Sequence, residues 1–196
     1  MAIKDLFPAC PICLRIGAVR TIHGRDQCRA CGARFRRGRG ARIIATTATG
    51  DVERDAVDWL ARLPATANGH PANLGPERAR VRVALGIAPL RRRGELLGWV
   101  ERFGPASQGT ITLDEERLAF RADARAIQWP IERITAVQPS SAALQIKARG
   151  QPVASIRFLE TSVRMWEDAI QSAVRALWLR EGRGTIAEFQ PCIRAR

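Results

Sequence analysis

The chain has 196 residues, 46% of them apolar and 26% charged, a balance that fits a folded protein of one ordinary domain or two small ones. Its 32 basic residues against 19 acidic ones leave a net charge of +13, which favours polyanionic partners through steering and counterion release. The N-terminus shows no apolar signal core and no run nears the ~18 apolar residues of a spanning helix, so a cytoplasmic protein is expected, its clustered thiols binding metal before forming disulfides.

The first feature along the chain is CPIC-x14-CRACG, formed by Cys10, Cys13, Cys28 and Cys31. Each CxxC sets two thiolates on one tight turn, and two such turns supply the four soft ligands of a closed tetrahedral zinc site. Gly32, after the last cysteine, permits the positive φ such a turn uses. AVRTI reads as a strand, HGRD as a turn and ARFR as a second strand. Residues 8–36 thus resemble a zinc ribbon, which implies one structural Zn2+ with no position left for water or substrate. His23, between the pairs, reads as a turn residue.

Charge is uneven along the chain. Residues 15–42 hold nine arginines and one acid, a net of +8, and residues 77–93 a net of +5, whereas residues 95–180 are near neutral. The run RFRRGRGAR gives the candidate polyanion-binding residues Arg34, Arg36, Arg37, Arg39 and Arg42. It admits three readings: a solvated basic linker, an unspecific site for single-stranded nucleic acid, or contact with anionic lipid at about 1 kcal/mol per cation. Composition does not separate the last two.

Next, GDVERDAVDWLARLP reads as an amphipathic helix with Val52, Ala56, Trp59, Leu60 and Leu63 on one side, stopped by Pro64. ATANGHPANLGP, which contains His70, reads as a linker. ERARVRVALGIAPLRRR stays ambiguous, since alternating Arg and Val argues strand while Pro76 before Glu77 argues a helix start.

From Gly94 onward seven short runs show period-2 alternation: ELLGWVE, TITL, RLAFR, AIQWP, ITAVQ, ALQIKA and VASIRF. An amphipathic helix follows, its stripe formed by Val163, Trp166, Ile170, Ala173, Val174, Leu177 and Trp178, with Thr161 or Ser162 available as a cap. The expected fold is mainly β with α: a small zinc ribbon plus a bent seven-stranded sheet or barrel closed by the C-terminal helix.

This order of elements resembles a GRAM or pleckstrin-homology-like domain over about 90 residues. Gly94, Glu95, Leu96 and Leu97 match its opening; Gly109, Ile111, Leu113, Arg117, Leu118 and Phe120 match its hairpin, with Asp114 where Thr is usual. Trp129, Pro130 and Ile131 match its apolar-Pro-apolar step, and Trp166 its helix. The resemblance implies an interaction module of the kind found at membrane surfaces, and by association an accessory component of a lipid-modifying system. The loop taken as the first hairpin loop, FGPASQG, has no cation, which argues against a specific phosphoinositide pocket.

No catalytic constellation stands out: two histidines without sequence partners, no tyrosine, and no GxSxG, P-loop or HExxH. Cys192 is a lone thiol in the tail. The chain divides into a zinc ribbon with basic extension (1–40), a basic helical or linking segment (41–90), a GRAM/PH-like domain (91–181) and a tail (182–196). The expectation is a non-enzymatic zinc-binding adaptor without a small-molecule substrate. It is recruited to an anionic membrane surface, peripheral on the inner face, or to a protein partner. Nucleic-acid binding through Arg34 to Arg42 is the alternative.

Overall fold

In the computed structural model, which describes residues 3–63, 74–140 and 142–182, the chain builds two antiparallel sheets, each with its own apolar cluster. The first is a five-stranded meander of β1 (Val19–Ile22), β2 (Arg25–Cys28), β3 (Arg34–Arg37), β4 (Arg42–Thr47) and β5 (Gly50–Asp55), followed by α1 (Ala56–Ala61). Its core gathers Ile3, Phe7, Val19, Phe35, Ile43 and Trp59. Phe7 meets Phe35 edge to face at 5.9 Å, and Trp59 donates its indole N–H to the Ile43 carbonyl at 3.0 Å. The strands expected in AVRTI and ARFR are present as β1 and β3.

The short amphipathic helix expected to start at Gly50 is corrected. Residues Gly50–Asp55 pair with β4, and the helix begins only at Ala56. The two periods coincide there: Val52 reaches the core from a strand, while Ala56, Trp59 and Leu63 reach the same core from the helix side. Of the described residues between 41 and 90, most therefore lie in strands: β4, β5 and residues 74–90. The linker expected in ATANGHPANLGP lies largely outside the described residues, as do Pro64, His70, and the tail beyond Gly182 with Cys192.

The second sheet runs in the order β10-β9-β8-β6-β13-β12-β11. It comprises β6 (Leu74–Arg92), β8 (Ser107–Leu113), β9 (Arg117–Ala122), β10 (Arg125–Pro130), β11 (Ile134–Pro139), β12 (Leu144–Ala148) and β13 (Ala154–Phe158). The ambiguous stretch at 77–92 is thus one strand of 19 residues. Alternation decides its first half: Ala79, Val81 and Val83 point into the core while Arg78, Arg80 and Arg82 face out. ELLGWVE, expected as the first strand of the sheet, is instead β7 (Glu95–Phe103) and pairs only with the far half of β6. The connection between β6 and β8 is therefore this β-ribbon, tipped by Arg91, Arg92 and Arg93, and not the cation-free FGPASQG loop alone.

The sheet does not close into a barrel. β10 and β11 are its two edges, joined by one 3-10 turn, Ile131–Arg133. Helix α2 (Val163–Arg180) packs on β11 and that turn. Its Trp166 is buried, stacks on Phe158 at 4.7 Å and donates to the Thr161 hydroxyl at 2.9 Å. Neither Thr161 nor Ser162 caps the helix through its side chain: the Thr161 hydroxyl serves Trp166, and Ser162 Oγ is buried without a partner. No helix among the described residues is long and apolar enough to cross a membrane.

The two sheets are joined by buried charge. Lys4, 5% exposed, donates to Asp5 at 2.9 Å and to the carbonyls of Phe158 and Thr161 at 3.2 and 2.7 Å. Glu77 accepts from the backbone N–H groups of Glu160 and Thr161 at 2.9 and 3.1 Å and pairs with Arg20 at 3.3 Å. The charges of Lys4 and Glu77, both taken out of water, thus each find partners across the seam.

Candidate metal centre and basic face

The four cysteines sit on two turns of the same form. In the first, the Cys10 N–H donates to the Arg15 carbonyl at 3.0 Å and the Leu14 N–H to the Cys10 carbonyl at 2.7 Å. In the second, the Cys28 N–H donates to Ala33 at 2.8 Å and the Gly32 N–H to Cys28 at 2.9 Å. The residue after each second cysteine takes positive φ, 60° at Leu14 and 75° at Gly32. The flanking strands fix the two turns against one another: the bridge between Ala9 and Ile16 closes the first, and β2 with β3 carries the second.

This brings all four sulfurs within 4.8 Å of one another. Cys10 and Cys31 are 3.8 Å apart and Cys13 and Cys28 3.7 Å. A tetrahedron of sulfurs each about 2.3 Å from a central ion has edges of about 3.8 Å. A disulfide needs about 2.05 Å, so the arrangement fits a shared cation and not two cystines. The backbone N–H groups of Ala30 and Cys31 donate to Cys28 Sγ at 3.3 and 3.4 Å and so fix where that sulfur points.

Electrostatics agree. Burial pushes the Cys10 thiol far above its ordinary value and raises Cys31 as well. At Cys13 burial also acts upward, but the Arg15 backbone and the neighbouring thiols hold it below its ordinary value. Four thiolates this close would need a cation among them, and a divalent ion with soft-ligand affinity could supply it. Four protein donors fill the tetrahedron, so such a centre is structural. His23 lies in the β1–β2 turn at φ 49° and is no member of the cluster.

The arginines of the basic run are placed on β3, the following turn and the first residue of β4, so the run is not a linker. All five are exposed, but they are not equivalent. Arg36 pairs with Asp51 at 3.1 Å and Arg42 lies 3.8 Å from Glu53. A hydrogen bond from Thr46, and then Arg36, hold the Asp51 carboxyl below its ordinary range. Arg34 and Arg39 form no ion pair among the described residues. Arg34 lines a shallow cleft with Ile22, His23, Arg25, Gln27 and Gly32. Arg25 was not among the sequence candidates; its signal was the strand pairing that sets β2 beside β3.

Sequence reasoning also missed the ribbon of residues 84–103 as a unit. Its one sequence signal was Gly94 between two apolar runs, a residue that accepts the positive φ a tight hairpin turn needs. Comparison with protein-family models and with curated proteins finds no match for this chain.

Proposed function

We propose that this chain is a non-enzymatic adaptor built on a structural zinc centre and recruited to an anionic membrane surface, with the second sheet available to a protein partner. Zinc is the choice for Cys10, Cys13, Cys28 and Cys31 because four thiolates in a tetrahedron suit it and the site has no open position to exploit. The two cysteine turns with β1, β2 and β3 support the zinc-ribbon resemblance. For the second sheet, the pairing of its first strand β6 with its last, β13, and the helix that follows support the GRAM/PH-like resemblance. The long ribbon and the open edges depart from what that resemblance implies.

The observation that carries the recruitment is the outward face beside the metal centre. Arg25 and Arg34 stand on adjacent strands over one cleft, neither ion-paired among the described residues. Cations held by a rigid sheet lose little entropy on meeting a lipid phosphate surface, at about 1 kcal/mol each.

Co-sedimentation with phosphatidylserine-containing vesicles, against pure phosphatidylcholine and in competition with single-stranded DNA, tests this. Retention on the anionic vesicles alone, weakening with salt, is the expected result. Replacing Arg25, Arg34 and Arg39 with Gln should weaken it by about a hundredfold at low salt while zinc content stays at one per chain. Preference for the DNA at physiological salt, lost on the same substitutions, would place the function with nucleic acid instead.

A further inference from the structure

We propose that the ribbon formed by the far half of β6 and by β7 is a second membrane contact, an arm that lies in the headgroup layer of an anionic lipid surface. This rests on the membrane recruitment above but on different residues.

The exposure of apolar side chains is concentrated there. Of the 12 large apolar residues exposed on the described chain, seven belong to the ribbon: Leu85, Ile87, Leu90, Leu96, Leu97, Trp99 and Val100. Ile87, Leu85 and Trp99 are 69%, 66% and 63% exposed. The register spreads them over both faces, with Pro89 opposite Trp99 on one and Ala88 opposite Val100 on the other. None of these residues belongs to either apolar cluster. Contiguous apolar surface of this kind marks an interaction site.

The arm is built rather than frayed. At its root Arg82 donates to the carbonyls of Gly104 and Phe103 at 2.9 and 3.2 Å, with its guanidinium 5.8 Å from the Phe103 ring centre. The Ala84 N–H reaches back to Val153 at 2.8 Å. At the tip, Arg93 and Gly94 both take positive φ, 50° and 89°, the two-residue turn that matches strand twist. Arg91, Arg92 and Arg93 form no ion pair among the described residues, in contrast to Arg36 and Arg42.

Charge selects the occupant. The ribbon holds Arg91, Arg92, Arg93 and Arg102 against Glu95 and Glu101, so its partner must welcome cations. A second copy fits less well: pairing two ribbons tip to root sets the three arginines against Arg102 and Arg82 with only Glu101 to offset them, and tip to tip sets them against themselves with only Glu95. Insertion through a bilayer is excluded, because the outer edges of β6 and β7 carry backbone groups with no partner to replace water. The headgroup layer meets every condition. Water still reaches the edges, phosphates meet the arginines, and Trp99 with the leucines enters the acyl boundary to about 5–10 Å.

Intrinsic fluorescence tests this, because Trp59, Trp129 and Trp166 are buried, Trp178 is partly buried against the larger core, and Trp99 is the one exposed tryptophan of the five. On phosphatidylserine vesicles the emission should shift to the blue and be quenched by lipids brominated on the acyl chain. Trp99→Phe should abolish the quenching without abolishing binding. Replacing Arg91, Arg92 and Arg93 with Gln should weaken binding by up to about a hundredfold at low salt. Leu97→Ser with Trp99→Ser should also weaken it while lowering the melting temperature little, as both side chains are more than half exposed and lie outside both cores. Binding with no quenching and no effect of the ribbon variants would overturn the arm and leave the recruitment through Arg25 and Arg34 standing. Absence of any vesicle binding would overturn both. Sedimentation velocity showing a dimer that the ribbon variants dissociate, or DNA retention lost with the three arginines while vesicle binding persists, would assign the arm to another partner and overturn it too.

Discussion

Leu14 occupies in the first cysteine turn the place that Gly32 has in the second, and it pays for the symmetry with a left-handed backbone. That conformation costs an L residue about 1–2 kcal/mol, while glycine's extra freedom in the unfolded chain costs about 0.5–1 kcal/mol. The Leu14 side chain is half exposed, so little packing is at stake. Leu14→Gly should therefore stabilise the first sheet by up to about 1 kcal/mol. The midpoint of a chelator titration should rise with it. A fall would mean that the leucine side chain shields the thiolates more than its backbone strains them. A second residue-scale test concerns Glu167, a nearly buried carboxylate on α2. Its Oε1 accepts from Gln171 at 3.3 Å, Oε2 has no hydrogen-bond partner, and burial pushes its pKa up. A carboxyl whose folded-state pKa is raised favours folding most when protonated, and loses that contribution as pH rises through the folded pKa. Glu167→Gln should accordingly raise the melting temperature at neutral pH and leave it unchanged at about pH 3.5, below the ordinary glutamate value. Equal melting temperatures for variant and parent at both pH values would show that Arg164, 3.7 Å away, already compensates the charge.

At the scale of elements, α2 depends on one side chain more than on its cap. Trp166 is buried at 1% exposure, stacked on Phe158 and bonded to Thr161, so Trp166→Ala should cost ~3–5 kcal/mol in denaturant unfolding. Trp166→Phe keeps the stack and orphans only the Thr161 hydroxyl, which should cost about 1–3 kcal/mol. Equal losses for the two variants would show that the hydrogen bond, not the ring, fixes the helix. The sequence made such elements legible wherever one face meets a core. The strands from β8 to β13 alternate because their inner residues, from Ile111 to Phe158, are buried, and α2 keeps a helical stripe for the same reason. The cysteine spacing read through to four converging sulfurs, since two short turns leave the thiols few other places to go. β5 was taken for helix because strand and helix deliver Val52 and Trp59 to one core at a spacing that suits either. ELLGWVE reads as the first strand of the bent sheet because a ribbon with two solvent faces has no buried side to impose a period, and only its pairing with Ala84–Arg92 reveals β7 as half of a ribbon.

For the whole molecule, the decisive question is how far the metal centre supports the second sheet. The two apolar clusters share no residue, and the larger one contains none of the four cysteines, so the second sheet should stay folded when a chelator removes the metal. It should not keep its full stability. Lys4 lies six residues before Cys10 and plugs the carbonyls of Phe158 and Thr161, and Gly17, just past the first cysteine turn, sits against Met165 of α2. A Cβ on Gly17 would come within 2.6 Å of the Met165 sulfur, so this turn and the helix touch without a gap. If an ion holds the first turn, its removal should loosen both contacts and weaken the pairing of Glu77 with Arg20. Zinc-loaded protein should therefore melt in one transition, and chelated protein in two. Hydrogen exchange should show residues 19–55 unprotected at once and residues 107–158 still protected but exchanging faster than before. Lys4→Ala, which breaks a buried ion pair and frees two carbonyls, should cost about 3–5 kcal/mol with metal bound. It should cost little after chelation, because the contact it removes is already gone. If chelation exposes both sheets together, the seam binds them into one cooperative unit and the metal holds the entire fold. If Lys4→Ala is equally costly with and without the ion, the N-terminal segment docks on the second sheet by itself, and the metal centre stabilises only the first.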